Sequence, residues 1–240
     1  MPLVAIRIAD EKEIRERNQS IVFLHGLTVE KGVRKTPDLG QVQFGLKCYR
    51  NAVVLRLRLL ETGLSGAYNA SNLICAAILA RQLVETAAHF IDTGIELEKQ
   101  IDKTPPNLKR IRDKVLKGLF GSKLDWLSTG LNPEQVLNCI DTTDIQLCKL
   151  FPEVAKTQQK PIRRNYDFLS ELLHPNAPAF LFHIDFDTAA DPGGANFEPE
   201  GSDQLRISVS SHILRALIIL DVFLYYERKF SSLLEKVEIA

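Results

Sequence analysis

Residues 68–100 read YNASNLICAAILARQLVETAAHFIDTGIELEKQ, and this stretch decides the fold. Asn69 or Ser71 is a plausible cap for a helix that runs to about Gln100. Alanine stands at 70, 76, 77, 80, 87 and 88. Small side chains let neighbouring helices approach closely, so this helix is predicted at the centre of a bundle. At about 100° per residue, Ile74, Ala77, Ile78, Val84 and Ala88 fall on one stripe. Arg81 and Glu85 stand in the middle of it. Two charges on such a face are costly to bury unless paired or hydrogen-bonded. Four residues apart on a helix, they can meet. They are either a pair that fixes the register of the bundle, a polar site inside it, or an exposed pair.

Working outward, helical patterning begins near Val42. Leu46, Val53, Val54, Leu57 and Leu60 recur at three- and four-residue steps, with Gly63 and Gly66 expected to end that helix. Residues 1–39 show no sustained period. Val4, Ile6 and Ile8 alternate like a short strand, Glu11 to Asn18 is dominated by charge, and Ile21 to Leu27 reads as a second strand or a packed arm. This region is predicted to be an N-terminal extension, and 40–240 the bundle domain.

Downstream, Pro105 and Pro106 restart a helix whose face is Leu108, Ile111, Val115 and Leu119. A further start lies at Asn132-Pro133, with helical segments to about Lys156. Ile162 to His174 is a short helix that Pro175 must end. Phe180, Phe182, Ile184 and Phe186 alternate with other residues, and Leu205 to Val209 is expected to pair back with them as a hairpin. A last helix is predicted from about Ser210 to Val237. The expected fold is all-α: a helical bundle of five to seven helices with a small β-hairpin insertion before the C-terminal helix.

The short helix carries a second set of polar groups. Ile162, Tyr166, Leu169 and Leu173 form its apolar side, with Arg163, Asp167, Ser170 and His174 along one edge. A histidine at a helix C-terminus is favoured when protonated, so His174 reads as a cap. As a general base or proton donor it needs a partner within hydrogen-bond reach, which Tyr166 or Ser170 would supply. Two faces in need of partners suggest one cluster of Arg81, Glu85, Tyr166 and His174. These four are the candidate catalytic or binding residues.

These residues also carry a resemblance. The run Arg81-Gln-Leu-Val-Glu85, with Tyr166-Asp-Phe-Leu-Ser-Glu-Leu-Leu-His174-Pro-Asn following, resembles a family of helical bacterial and phage-associated proteins of unassigned function. That family pairs an Arg-x-x-x-Glu helix with a Tyr-x-x-Leu-Ser-x-x-x-His-Pro helix, and the resemblance covers residues 45 to 235. More distantly, the arrangement is similar to the HEPN superfamily of small helical bundles. Its active members cleave RNA with an Arg-x(4–6)-His motif and usually dimerise. Here Arg164 precedes His174 by ten positions and Arg81 precedes His89 by eight, so neither pair has that spacing. The resemblance implies a prokaryotic cytoplasm and a role in phage defence or stress response.

Bulk properties bound the remaining readings. Thirty Lys and Arg balance thirty Asp and Glu, so no global field points to nucleic acid or membrane. Locally, residues 103–123 carry seven Lys or Arg against one Asp. Lys109, Arg110, Lys114 and Lys117, with Arg163 and Arg164, form a candidate RNA-binding patch, although a solvated helix face is the commoner explanation. Cys48, Cys75, Cys139 and Cys148 are far apart and lack zinc-site spacing, which suggests buried thiols in a reducing compartment. The acidic tract from Asp185 to Asp203 fails the EF-hand pattern at Ala189 and Ala190. No GxGxxG, Walker loop, GxSxG or HExxH occurs. No cofactor or metal is therefore expected.

The N-terminus turns charged too early for a signal peptide. The most apolar window, Ile213 to Tyr226, is too short to span a bilayer and holds Arg215 and Asp221. The expected protein is a cytoplasmic interaction or sensing module that self-associates or binds a protein partner, with RNA as an alternative and no membrane. The competing expectation is a metal-independent HEPN-like endoribonuclease using His174 and an arginine.

Overall fold

The computed structural model describes residues 11–33, 40–103, 109–111, 114–115, 132–157, 159–173, 184–185, 196–197 and 203–237. Among these run α1 (Glu11–Gly26), α2 (Gln41–Asn69), α3 (Leu73–Ile101), α4 (Pro133–Leu150), α5 (Pro152–Thr157) and α6 (Pro161–Leu173). Two-residue strands β1 (Ile184–Asp185) and β2 (Asn196–Phe197) precede α7 (Asp203–Ala216) and α8 (Ile219–Val237). Residues 109–111 and 114–115 are helical as well. The architecture is all-α.

Helix α3 is the hub, packed against α2, α4, α6, α7 and α8. Ala76, Ala77, Ala80, Ala87 and Ala88 are completely buried, as close helix approach requires. Around Phe90 the core is aromatic: Phe223 and Phe230 of α8 lie with ring centroids 5.1 and 4.9 Å away, and Tyr49 of α2 stacks at 5.8 Å. Ring pairs at such separations contribute beyond the area they bury.

The α2–α3 boundary differs from the expectation at two points. Helix α2 continues through Gly63 and Gly66. An interior glycine costs roughly 0.5–1 kcal/mol against alanine, whereas Leu64 and Tyr68 on the following turns are wholly buried. Burying each such side chain is worth about 1.5–3 kcal/mol, so the helix persists. At Gly63 a Cβ would stand 3.2 Å from Leu79 Cδ1, so the glycine lets the two helices close together. The chain turns instead at Ser71, whose φ of 59° is left-handed. Asn72, rather than Asn69 or Ser71, caps α3 by accepting from the Cys75 amide at 3.1 Å.

The N-terminal segment from Glu11 is a helix, not a strand or hairpin; Val4, Ile6 and Ile8 lie outside the described residues. Ile14, Ile21 and Leu24 of α1 are buried, seven and three positions apart on one helical face. Buried Arg17 donates to Asp221 Oδ2 at 2.7 Å, and Ser20 also bonds Asp221, tying α1 to α8. Arg58 of α2 donates to the Leu24 and Leu27 carbonyls at the end of α1.

The expected hairpin does not form as read, because Leu205 to Val209 belongs to α7. Val209 and Ile213 are buried while Ile207 is 43% exposed, so the governing period is that of a helix. Among the described residues, strand pairing is confined to Ile184 opposite Phe197 and Asp185 opposite Asn196, antiparallel. The predicted final helix is two, broken at Leu217–Ile218. By length and composition alone, Leu73–Ile101 and Leu205–Glu235 are long and apolar enough to cross a bilayer. In the bundle, 56% and 61% of their most apolar windows are buried.

The start at Asn132-Pro133 is as expected: Asn132 and Gln135 form a reciprocal capping box. Helix α6 is capped from outside itself. The Asp144 carboxylate of α4 accepts from the Ile162 and Arg163 amides, both at 2.9 Å. That bond fixes where α6 begins, and so where Tyr166 stands.

Candidate functional site

Helices α3 and α6 bring three of the four candidates together. Arg81 Nε donates to Glu85 Oε1 at 3.1 Å, one turn along α3. Tyr166 of α6 donates its hydroxyl to the same oxygen at 2.8 Å. Gln82 Nε2 reaches Glu85 Oε2 at 3.1 Å. The Arg81 guanidinium lies 5.5 Å from the centre of the Tyr166 ring, within cation–π range. His174 lies outside the described residues.

The cluster sits at the rim of the core. Ala77, Val84 and Ala88 of the predicted stripe are buried, but Ile78 is 44% exposed. The Arg81 and Glu85 side chains are 29% and 22% exposed, and Tyr166 is buried. Burial, the Glu85 charge and the bond to it raise the Tyr166 pKa, opposed by Arg81, so the phenol stays a neutral donor. Burial works against the Arg81 charge, but Tyr166 and Glu85 outweigh it and raise the guanidinium pKa. Glu85 is thus an acceptor for three side chains, and Arg81 uses Nε for its pair. Guanidinium also offers a fork of two further nitrogens, the geometry that carboxylates and phosphates match.

Polar contacts continue onto α2, where Arg56 donates to Thr86 Oγ1 at 3.1 Å and Gln82 Oε1 at 3.3 Å. On α6, Ser170 Oγ is buried without a hydrogen-bond partner. His212 of α7 stacks on Phe168 at 3.8 Å and bonds Asn165 Oδ1 through Nδ1 at 2.7 Å. Burial first, then the Arg215 and Arg164 charges, lower its pKa to about 4.

No protein-family model, curated protein or solved structure matches the chain.

The basic patch is partly consumed internally. Arg110 pairs with Glu96 at 2.6 Å, Lys114 pairs with Asp92, and Arg163 bonds Asp167 at 2.9 Å and Asp141 at 3.4 Å. Lys109 and Arg164 are exposed, and Lys117 lies outside the described residues. Among the described residues no group of three or more His, Cys, Asp and Glu is placed to hold a metal ion.

Sequence reasoning missed a second polar group, deep between α2, α3 and α4. Tyr49 OH lies 2.6 Å from His89 Nδ1 and 3.4 Å from Thr93 Oγ1. Burial drives the Tyr49 pKa up. Burial, then the Lys114 charge, lowers His89 to about 4 despite Asp92. The phenol is protonated and the imidazole neutral, so a single hydrogen bond joins them through Nδ1, while His89 Nε2 is buried without a partner. Beside it Cys139 Sγ donates to Asp92 Oδ2 at 3.5 Å. Burial and the Asp92 charge push that thiol up to about 12, so it is no nucleophile at neutral pH. The pairs that cross between helices are 40 or more positions apart, and only an unusual His on the inner face of a helix hinted at them.

Proposed function

We propose that this chain is a helical interaction or sensing module whose polar site is Arg81, Glu85 and Tyr166, with His174 just beyond α6 as the fourth member. The observation that carries this reading is Glu85 gathering donors from two helices at a part-exposed rim. A purely structural pair gains little from staying partly in water, since exposed ion pairs contribute about 0–1 kcal/mol. An anionic group on a partner would compete with Glu85 for Arg81 and loosen the Glu85–Tyr166 tie between α3 and α6. A prokaryotic cytoplasm and a part in phage defence or stress response are proposed from the resemblance alone.

The reading is tested by pairing function with stability in Arg81→Ala and Glu85→Gln. Both variants should melt within a few degrees of wild type, as the modest worth of a part-exposed pair implies. Both should lose a partner that the wild-type chain retains from bacterial extract. Variants that unfold early yet keep every partner would contradict it.

A further inference from the structure

Helix α2 turns one face into the bundle and leaves the other uncovered. Along the outer face lie Cys48, Ala52, Leu55, Leu59, Thr62 and Gly66, spaced alternately four and three residues apart. Leu55 is 48% exposed and Leu59 75%. This alternation is the seam by which two helices pack at a shallow angle. None of the six is charged. The arginines beside them are engaged within their own chain, Arg56 with Thr86 and Gln82, and Arg58 with the Leu24 and Leu27 carbonyls. The apolar face continues onto α3 at Ile78, 44% exposed and next to the Leu79 that Gly63 meets.

The order of residues says what covers this face. Residue 57 is the midpoint of three pairs: 55 with 59, 52 with 62, and 48 with 66. Two antiparallel copies of α2, related by a two-fold axis at that level, place Leu55 against the partner's Leu59. Ala52 then meets the partner's Thr62, and Cys48 the partner's Gly66. Large residues meet at the centre and small ones at both ends, so the helices can lie close along the seam. A two-fold contact requires a surface complementary to itself, and this one is. We propose that the outer face of α2 is the interface between two antiparallel copies of this chain. The inference rests on α2 and not on the polar cluster, so either can fail without the other.

Sedimentation of the full chain tests it. Wild type should run at twice the 27.0 kDa of one chain, and Leu59→Glu at half that mass with the helical circular dichroism of wild type. The register is tested with Gly66→Cys, where an added side chain meets nothing within 4 Å in its own chain. Oxidised glutathione should link it to the partner's Cys48, and adding Cys48→Ser should abolish the linked dimer. A wild-type monomer at every concentration would overturn the proposal and leave the face to a different protein or a lipid surface. A Leu59→Glu dimer, or a crosslink that survives Cys48→Ser, would overturn it equally.

Discussion

The Tyr166 hydroxyl donates to Glu85 Oε1 at 2.8 Å, joining two helices whose residues lie 81 positions apart. Tyr166→Phe removes that donor and keeps the ring packed. A net loss of about 0.5–1.5 kcal/mol is expected in urea unfolding. Combined with Glu85→Ala, the loss should fall short of the sum of the single changes, because both remove the same bond. Additive losses would mean that the bond does not form in solution.

Asp144 determines where α6 starts. Asp144→Ala leaves two amides of the first turn without their carboxylate, at a cost of about 1–2 kcal/mol. Hydrogen exchange should rise first at Ile162 and Arg163, ahead of the rest of the bundle. Unchanged protection there would show that another group supplies the cap.

His89 makes stability fall with acid. Its folded pKa of about 4 lies below the ordinary 6.5, so the unfolded chain takes up the proton first. The contribution is fully present above about pH 6.5 and is lost as pH falls towards 4. The charged groups acting on it are Lys114, which opposes protonation, and Asp92, which favours it. His212 titrates in the same direction, so the comparison must be made against His89→Gln. The variant should show a flatter stability profile between pH 6.5 and 4. Parallel profiles would count against a neutral, buried His89.

Cys139 should be silent to thiol reagents in the native protein. With its pKa near 12 and its side chain buried, it is protonated and shielded at pH 8. Cys48, Cys75 and Cys148 are each partly exposed. Mass mapping after brief alkylation should find Cys75 and Cys148 modified and Cys139 only after denaturation. Early labelling of Cys139 would mean that α4 opens readily.

What was legible in the sequence is what local pattern records. The alanines of α3 announced its central place, Asn132-Pro133 announced a helix start, and charges on an apolar stripe pointed to a cross-helix contact. Arg81 and Glu85 do meet Tyr166. Patterns failed where tertiary packing overrode them. Gly63 and Gly66 look like a stop, but Leu64 and Tyr68 hold the helix together beyond Gly63. The run Leu205 to Val209 alternates like a strand, but Val209 and Ile213 share a buried helical face. Arg17 and Asp221, 204 positions apart, leave no trace in either segment alone. Neither do Tyr49 and His89, which are paired only because α2 and α3 fold back on each other.

The most direct test of the interaction-module reading is RNA cleavage by the purified chain. A mixed pool of single-stranded and transfer RNA would be incubated with wild type and with His174→Ala. The module reading predicts no cleavage by either protein. Cleavage by wild type that disappears in a still-folded His174→Ala would contradict it and make His174 the catalytic residue of a ribonuclease.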